Sequence, residues 1–199
     1  MNFIEELGIN GHLQIAKLFP DGKEEIIFDD HNIIVSGMGV GLAYLFAGAG
    51  GNKVTEYQID RVQIGVSGNS SLEVSTTYQL SGPLSSTTEY GTDSDIYAIT
   101  SNQYVNGATL TNKTFLKIPH SKVTKVGNSS VRYTVVLDEE ACNNITRGGS
   151  AAALNEIGLF MKNPTGAATE ASILVAYRYF SNVIKTSDFS LIFRWTLNF

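Results

Sequence analysis

Residues 189–199 read FSLIFRWTLNF, and the alternation in this stretch decides the fold class. Large apolar side chains stand at every second position, with Arg194 and Thr196 between them. Period two places such side chains on one face of a β-strand. We therefore predict a strand with one buried face, formed by Phe189, Leu191, Phe193, Trp195, Leu197 and Phe199.

Working outward, short apolar runs separated by turn residues recur along the chain. Pro20–Lys23 (PDGK) predicts the turn of a hairpin, because proline presets φ and glycine tolerates positive φ. Val62, Ile64 and Val66 alternate with polar residues, as in a half-buried strand. Further strands are predicted at 11–19, 24–28, 33–35, 113–118, 131–137, 155–161 and 173–180.

These strands predict a mainly β chain, a β-sandwich of the jelly-roll kind, with one principal helix near 37–47. A length of 199 residues suits one domain, 1–199. The expected core positions are Ile33, Val35, Leu42, Leu45, Phe46, Ile64, Val135, Ile157, Val175, Phe193, Trp195 and Leu197.

The helix is predicted from an uncharged stretch, 32–52, that contains six glycines. Ser36 is a suitable N-cap, 37–47 is expected to be a buried helix, and the glycines of 48–51 end it. The stretch has the length of a membrane span, but its glycines favour a buried helix. Strand, glycines and helix also resemble a dinucleotide site, but the glycine spacing and the absence of a strand–helix series argue against it.

Composition narrows the classes of function. Only 17% of residues are charged and the net charge is -5, so the surface is polar but sparsely charged. This balance argues against a disordered chain and against a basic nucleic-acid binder. Cys142 is the only cysteine, which excludes an intrachain disulfide, and it is expected to be a small buried residue. The first residues lack the basic and apolar regions of a secretory signal.

The histidines do not form a metal-ligand pattern. His12, His31 and His120 stand far apart in the sequence. Asp29 and Asp30 precede His31, which would suit a metal site or an acid–base pair, but a solvated turn that leads into a buried strand is the simpler interpretation. No catalytic residue and no cofactor or metal site is predicted.

A calcium site near Asp93 and Asp95, with Glu89 upstream, stays open as a weaker alternative. Carboxylate oxygens suit calcium, but the glycine and the terminal glutamate of a calcium loop are missing. A cell-wall hydrolase would need paired carboxylates in a cleft, and the sequence places no two acids together in that way.

The stretch 85–108 is long and polar, and it is predicted to be a loop or an excursion from the domain. Its tyrosines, Tyr90, Tyr97 and Tyr104, are the candidate interface residues, because tyrosine supplies large contact area at low entropic cost. The alternative that they cover an edge of the core stays open.

Several segments resemble those of structural proteins from the particles of tailed bacteriophages. They are DDHNIIVSGMGVGLAYLFAG at 29–48, DRVQIG at 60–65, NEIGLF at 155–160, ILVAYRYF at 173–180 and NVIKTSDFSLIFRWTLNF at 182–199. The resemblance covers both ends of the chain and leaves roughly 66–150 unmatched. It rests on a pattern of positions rather than on a specific motif.

The resemblance implies a non-enzymatic component of the virion, in the head, neck, tail or baseplate, assembled in the host cytoplasm. Its partners would be other virion proteins, with no nucleic acid and no membrane. Repeated copies follow from the symmetry of such particles, so we expect a homo-oligomer, a trimer or a ring. The alternative function is a receptor- or carbohydrate-binding module of a tail fibre or spike.

Overall fold

The structure is a computed structural model that describes residues 8–47, 57–70, 77–84, 87–90, 96–103, 109–162 and 172–199. Its helices are α1 (Ser36–Ala47), α2 (Thr87–Tyr90) and a 3-10 helix (His120–Lys122). Its strands are β1 (Asn10–Leu18), β2 (Glu24–Ile34), β3 (Ile59–Gly65), β4 (Ile96–Gln103), β5 (Thr109–Lys117), β6 (Val123–Lys125), β7 (Ser130–Leu137), β8 (Thr146–Arg147), β9 (Ser150–Ala151), β10 (Leu154–Lys162), β11 (Ser172–Val183) and β12 (Ser190–Asn198).

Ten of these strands form one antiparallel sheet, in the order β4-β5-β3-β10-β11-β2-β1-β12-β7-β6. Strand β2 links its two halves: most of β2 pairs with β1, and its last two residues, Ile33 and Ile34, pair with β11. The sheet curls at this point into two facing layers. The mainly β architecture predicted from the sequence is confirmed. The predicted strands 24–28 and 33–35 belong to one strand, β2, which ends at Ile34.

The core lies between the two layers. Phe180 of β11 meets Phe193 of β12 with ring centroids 6.2 Å apart, and it meets Phe28 of β2 at 6.3 Å. Along β12 the predicted alternation is confirmed, because Trp195 is only 2% exposed while Arg194 is half-buried. The prediction for Phe199 is wrong: this residue lies beyond the strand and is 49% exposed.

Strand β3 is buried on both faces, so the prediction of a half-buried strand is wrong. Arg61 and Gln63, which alternate with the apolar residues, are as buried as Val62. The Arg61 guanidinium is neutralised by Asp60 at 2.8 Å and donates to the Ser172 hydroxyl at 3.1 Å. Pairing of this kind lets a charged residue occupy the interior of a sheet.

Helix α1 packs on β10 and β11 through two of its glycines. A Cβ atom at Gly37 would lie 2.0 Å from the Leu174 carbonyl oxygen, and one at Gly41 would lie 2.5 Å from the Met161 sulfur. The absence of a side chain therefore allows the close approach. Nothing lies within 4 Å of the equivalent point at Gly39, so that glycine has no packing role.

The prediction of a buried helix is wrong for most of α1. Only Gly37, Met38 and Gly41 are buried, because one side of the helix alone faces the sheet. Phe46 is 82% exposed. Three other expected core residues, Ile33, Leu42 and Leu45, are half-buried. Within the described residues, no helix is long and apolar enough to cross a membrane.

The described part of 85–108 contains regular structure. Helix α2 is one turn long, and β4 is an edge strand of the large sheet that pairs with β5 from Ile96 to Gln103. In these described residues the chain therefore forms a helical turn and a strand of the large sheet.

Candidate functional site

A groove of about 650 Å³ separates α1 from the edges of both layers. Most of its lining surface is apolar. The helix supplies one wall, the ends of β3, β5 and β10 supply the second, and β6, β7 and the residue after β12 supply the third. The lining residues are Met38, Leu42, Leu45, Tyr57, Gln58, Ile59, Asp60, Lys117, Ile118, Pro119, His120, Val123, Tyr133, Met161, Lys162 and Phe199.

The second half of α1 continues this apolar surface into solvent. The helix contains no charged residue, and its last two residues, Phe46 and Ala47, are exposed. Leu45, one position earlier, lines the groove. An uncharged helix is expected to be covered on most sides. The exposed end of α1 is therefore a candidate contact surface.

The rim of the groove is basic. Lys117 and His120 are exposed at its mouth, whereas the one lining carboxylate, Asp60, is paired with Arg61 at 2.8 Å and with Lys162 at 3.3 Å. The sequence from 96 to 137 contains five Lys and Arg residues and no Asp or Glu. This local excess of positive charge contrasts with the net charge of -5 for the whole chain.

Tyr133 is a buried titratable residue of the groove wall. Its side chain is 7% exposed, and burial raises the pKa of its hydroxyl to about 12. The phenol is therefore neutral over the physiological range, and it contributes apolar surface and a hydroxyl rather than a charge.

The three predicted interface tyrosines are not brought together on a described surface. Tyr90 is fully buried, and its hydroxyl accepts a hydrogen bond from the backbone N–H of Ile64 at 3.2 Å. For Tyr90 the structure thus favours the alternative interpretation, a residue that covers the core. Tyr97 lies in β4, but its side chain is outside the described part of the structure, and Tyr104 lies outside the described residues altogether.

Residues 29–31 were expected in a solvated turn, and this prediction is wrong because they lie within β2. Asp29 contacts His12 of the adjacent strand, with 2.6 Å between Nε2 and Oδ1. Asp30 pairs with Arg178, and His31 meets His12 edge to face at 5.9 Å between ring centroids. These side chains form an exposed polar face rather than a cleft.

Cys142 and Lys185 form a buried pair of reactive residue types that the sequence did not connect. Burial raises the pKa of the Cys142 thiol to about 12, so the thiol is protonated and a poor nucleophile. The Lys185 ammonium is 2% exposed and donates to Asn143 Oδ1 at 3.0 Å and to the Thr186 carbonyl at 2.8 Å. With these partners Lys185 orders the turn instead of offering a free amine.

The described residues provide no arrangement of ligands that supports the calcium alternative. Glu89 pairs with Arg147, and Asp93 and Asp95 lie outside the described ranges. Among the residues that the structure describes, no three His, Cys, Asp or Glu side chains are grouped as a metal site requires. No family model, no curated protein and no solved structure matches the chain.

Proposed function

We propose that this chain is a non-enzymatic structural component of a bacteriophage particle, in the head, neck, tail or baseplate. It acts by burying its surface against other subunits, including copies of itself in a trimer or a ring. The proposal that the chain belongs to a phage particle is supported by its resemblance to virion proteins at 29–48, at 60–65 and in the segments after 155. The exposed apolar end of α1 supports the mode of action.

That exposed end is the observation that carries the proposal. Phe46 leaves 82% of its surface in solvent at the end of a helix with no charge to hydrate it. Burying one large aromatic side chain contributes roughly 1.5–3 kcal/mol, and such anchors dominate subunit interfaces. A subunit contact at this end of α1 would recover that free energy in every copy.

Purified particles test the proposed location. Mass spectrometry of phage particles purified from a culture that carries this gene should detect the chain at a fixed ratio to the major head or tail proteins. Absence of the chain from purified particles would contradict the proposed role. A particle map that shows the chain only at distal tips, together with hits on a glycan array, would favour the receptor-binding alternative.

Light scattering over a dilution series tests self-association. We expect the mass of a trimer or ring for the wild-type chain and a smaller mass for Phe46→Asp. The matched control is Ile184→Asp, because Ile184 is also exposed, at 55%, but follows the far end of β11 from α1. A monomer mass for the wild-type chain at high concentration would remove the homo-oligomer and leave docking on a different virion protein.

A further inference from the structure

We propose that the groove beside α1 is a docking site for a short segment that is both apolar and acidic, and that residues 1–7 of the same chain are its occupant. These residues, MNFIEEL, lie outside the described part of the structure. The inference does not depend on the virion role. It rests on the lining of the groove, on the charge of its rim and on where the described chain begins.

The floor of the groove fits apolar side chains. Met38 and Leu42 of α1 face Ile118 and Met161 across it, and Tyr133 closes the side toward β7. The volume of about 650 Å³ accommodates several large side chains. Water in a space lined this way makes few hydrogen bonds, so an apolar occupant would displace it favourably.

The rim selects the charge of the occupant. Lys117 and His120 are exposed at the mouth, and the sequence from 96 to 137 contains no Asp or Glu. The carboxylate of Asp60 already has Lys162 as a partner. Acidic groups on the occupant would be attracted to the exposed Lys117 ammonium at the rim, which favours association and fixes orientation.

Residues 1–7 combine the two required properties. Phe3, Ile4 and Leu7 are apolar, and Glu5 and Glu6 are the only side chains of the segment that carry charge. The segment therefore carries a charge of -2 beside apolar groups of the size that the groove takes. Its chemistry complements both the floor and the rim.

The described chain begins next to the groove. Asn10, the first residue of β1, pairs with Asn198, and the following residue, Phe199, lines the groove. Seven residues span up to about 25 Å when extended, which is enough to reach the groove from this point. A tethered segment acts at an effective concentration near millimolar, so the chain's own residues would outcompete a second copy in dilute solution.

Binding of a free peptide to full-length chains tests the assignment. The probe is a fluorescent peptide of sequence MNFIEEL, followed by anisotropy. Its partners are the wild-type chain and a chain whose own segment is disabled by Phe3→Asp and Ile4→Asp. We expect the peptide to bind the disabled chain at least about ten-fold more tightly than the wild type, because the tethered segment competes.

Groove variants in the disabled chain locate the site. Leu42→Asp should abolish peptide binding, whereas Ala43→Asp should not, because Ala43 is an exposed neighbour on α1 that does not line the groove. Lys117 lies on the exposed rim, so Lys117→Glu should not disturb the core. This second variant can therefore test the groove even if Leu42→Asp fails to fold. We expect Lys117→Glu to weaken binding by about five-fold and to reduce its dependence on salt.

Three results would overturn the proposal. Equal peptide affinity for the wild-type and disabled chains would mean that the groove is open in the intact protein. Absence of binding to both would mean that the segment does not fit the groove. Loss of an oligomer on disabling the segment, seen by light scattering at constant fold stability, would assign the occupant to a second copy.

Discussion

The carboxylate of Glu156 holds the backbone of Gly82, with 2.6 Å between Oε1 and the amide nitrogen. Its other oxygen accepts from the N–H of Ser81 at 3.0 Å, and the Glu156 side chain is fully buried. Two consecutive backbone donors thus satisfy a carboxylate that has left solvent. The contact fixes the segment 77–84 over the outer face of the sheet, where Leu80 joins a second small apolar cluster.

Glu156→Gln should therefore destabilise the fold. The amide retains one acceptor oxygen but places an NH₂ group against a backbone donor, and we expect a loss of about 1–3 kcal/mol in the free energy of unfolding. Chemical denaturation measures it. Glu140→Gln is the control, because Glu140 is exposed, and its cost should stay within about 0.5 kcal/mol. Equal effects of the two substitutions would show that the contact contributes nothing.

Replacing two glycines of α1 by alanine should change the stability of the fold in opposite directions. Gly37→Ala would put a Cβ atom 2.0 Å from the Leu174 carbonyl oxygen, so the helix must shift, at a cost of about 1–3 kcal/mol. Gly39→Ala meets open space and should stabilise the chain by about 0.5–1 kcal/mol through its helix propensity. Thermal denaturation of both variants distinguishes packing from propensity, and stabilisation by Gly37→Ala would contradict the close approach.

The elements predicted correctly are those whose signal is local. The alternation along β12 and the apolar positions Val131 to Leu137 of β7 carry period two in their own residues, so the buried face follows from the sequence. The burial of Arg61 in β3, a strand buried on both faces, does not follow from the local sequence. Its hydroxyl partner, Ser172, lies 111 residues further along the chain. The Glu156 contacts were invisible for the same reason, since Ser81 is 75 residues away.

The candidate surface was predicted only in part. An uncharged stretch indicates burial, and it correctly predicted the position of α1. It does not show which side of the helix packs against the sheet. Phe46 therefore reads as core in the sequence and stands exposed in the structure. The groove joins α1 to Tyr133 and to Phe199, and no local pattern connects residues so distant in sequence.

The core role of Trp195 is testable by truncation. Trp195 is 2% exposed at the centre of β12, so Trp195→Ala should cost about 3–5 kcal/mol by removing apolar contacts and leaving a cavity. Phe46→Ala is the matched control, because it removes an aromatic ring that is 82% exposed, and its cost should be within about 0.5 kcal/mol. Unfolding curves in urea measure both, and a small cost for Trp195→Ala would undo the assignment of the buried face.

The pair of Glu24 and Arg194 predicts a stability change at acid pH. Two hydrogen bonds, at 2.6 and 2.8 Å, join the carboxylate to the guanidinium. These hydrogen bonds, and then the charge of Arg194, lower the pKa of Glu24 below its ordinary value of 4.5 in the folded chain. The stabilisation is therefore complete above pH 4.5 and is lost as the pH falls through the lower folded-state pKa.

Its size is limited by solvent, since the Glu24 side chain is 36% exposed and that of Arg194 is 25% exposed. We expect Glu24→Gln to lower the free energy of unfolding by less than about 1 kcal/mol at neutral pH and by a smaller amount under acid conditions. Denaturation curves of both chains from about pH 7 down to about pH 3 measure the difference. Glu25→Gln controls for the loss of one negative charge, because Glu25 is also exposed but is not bonded to Arg194. A difference between wild type and Glu24→Gln that stayed constant across this range, or grew toward acid pH, would show that ionisation of Glu24 does not stabilise the strands that it joins.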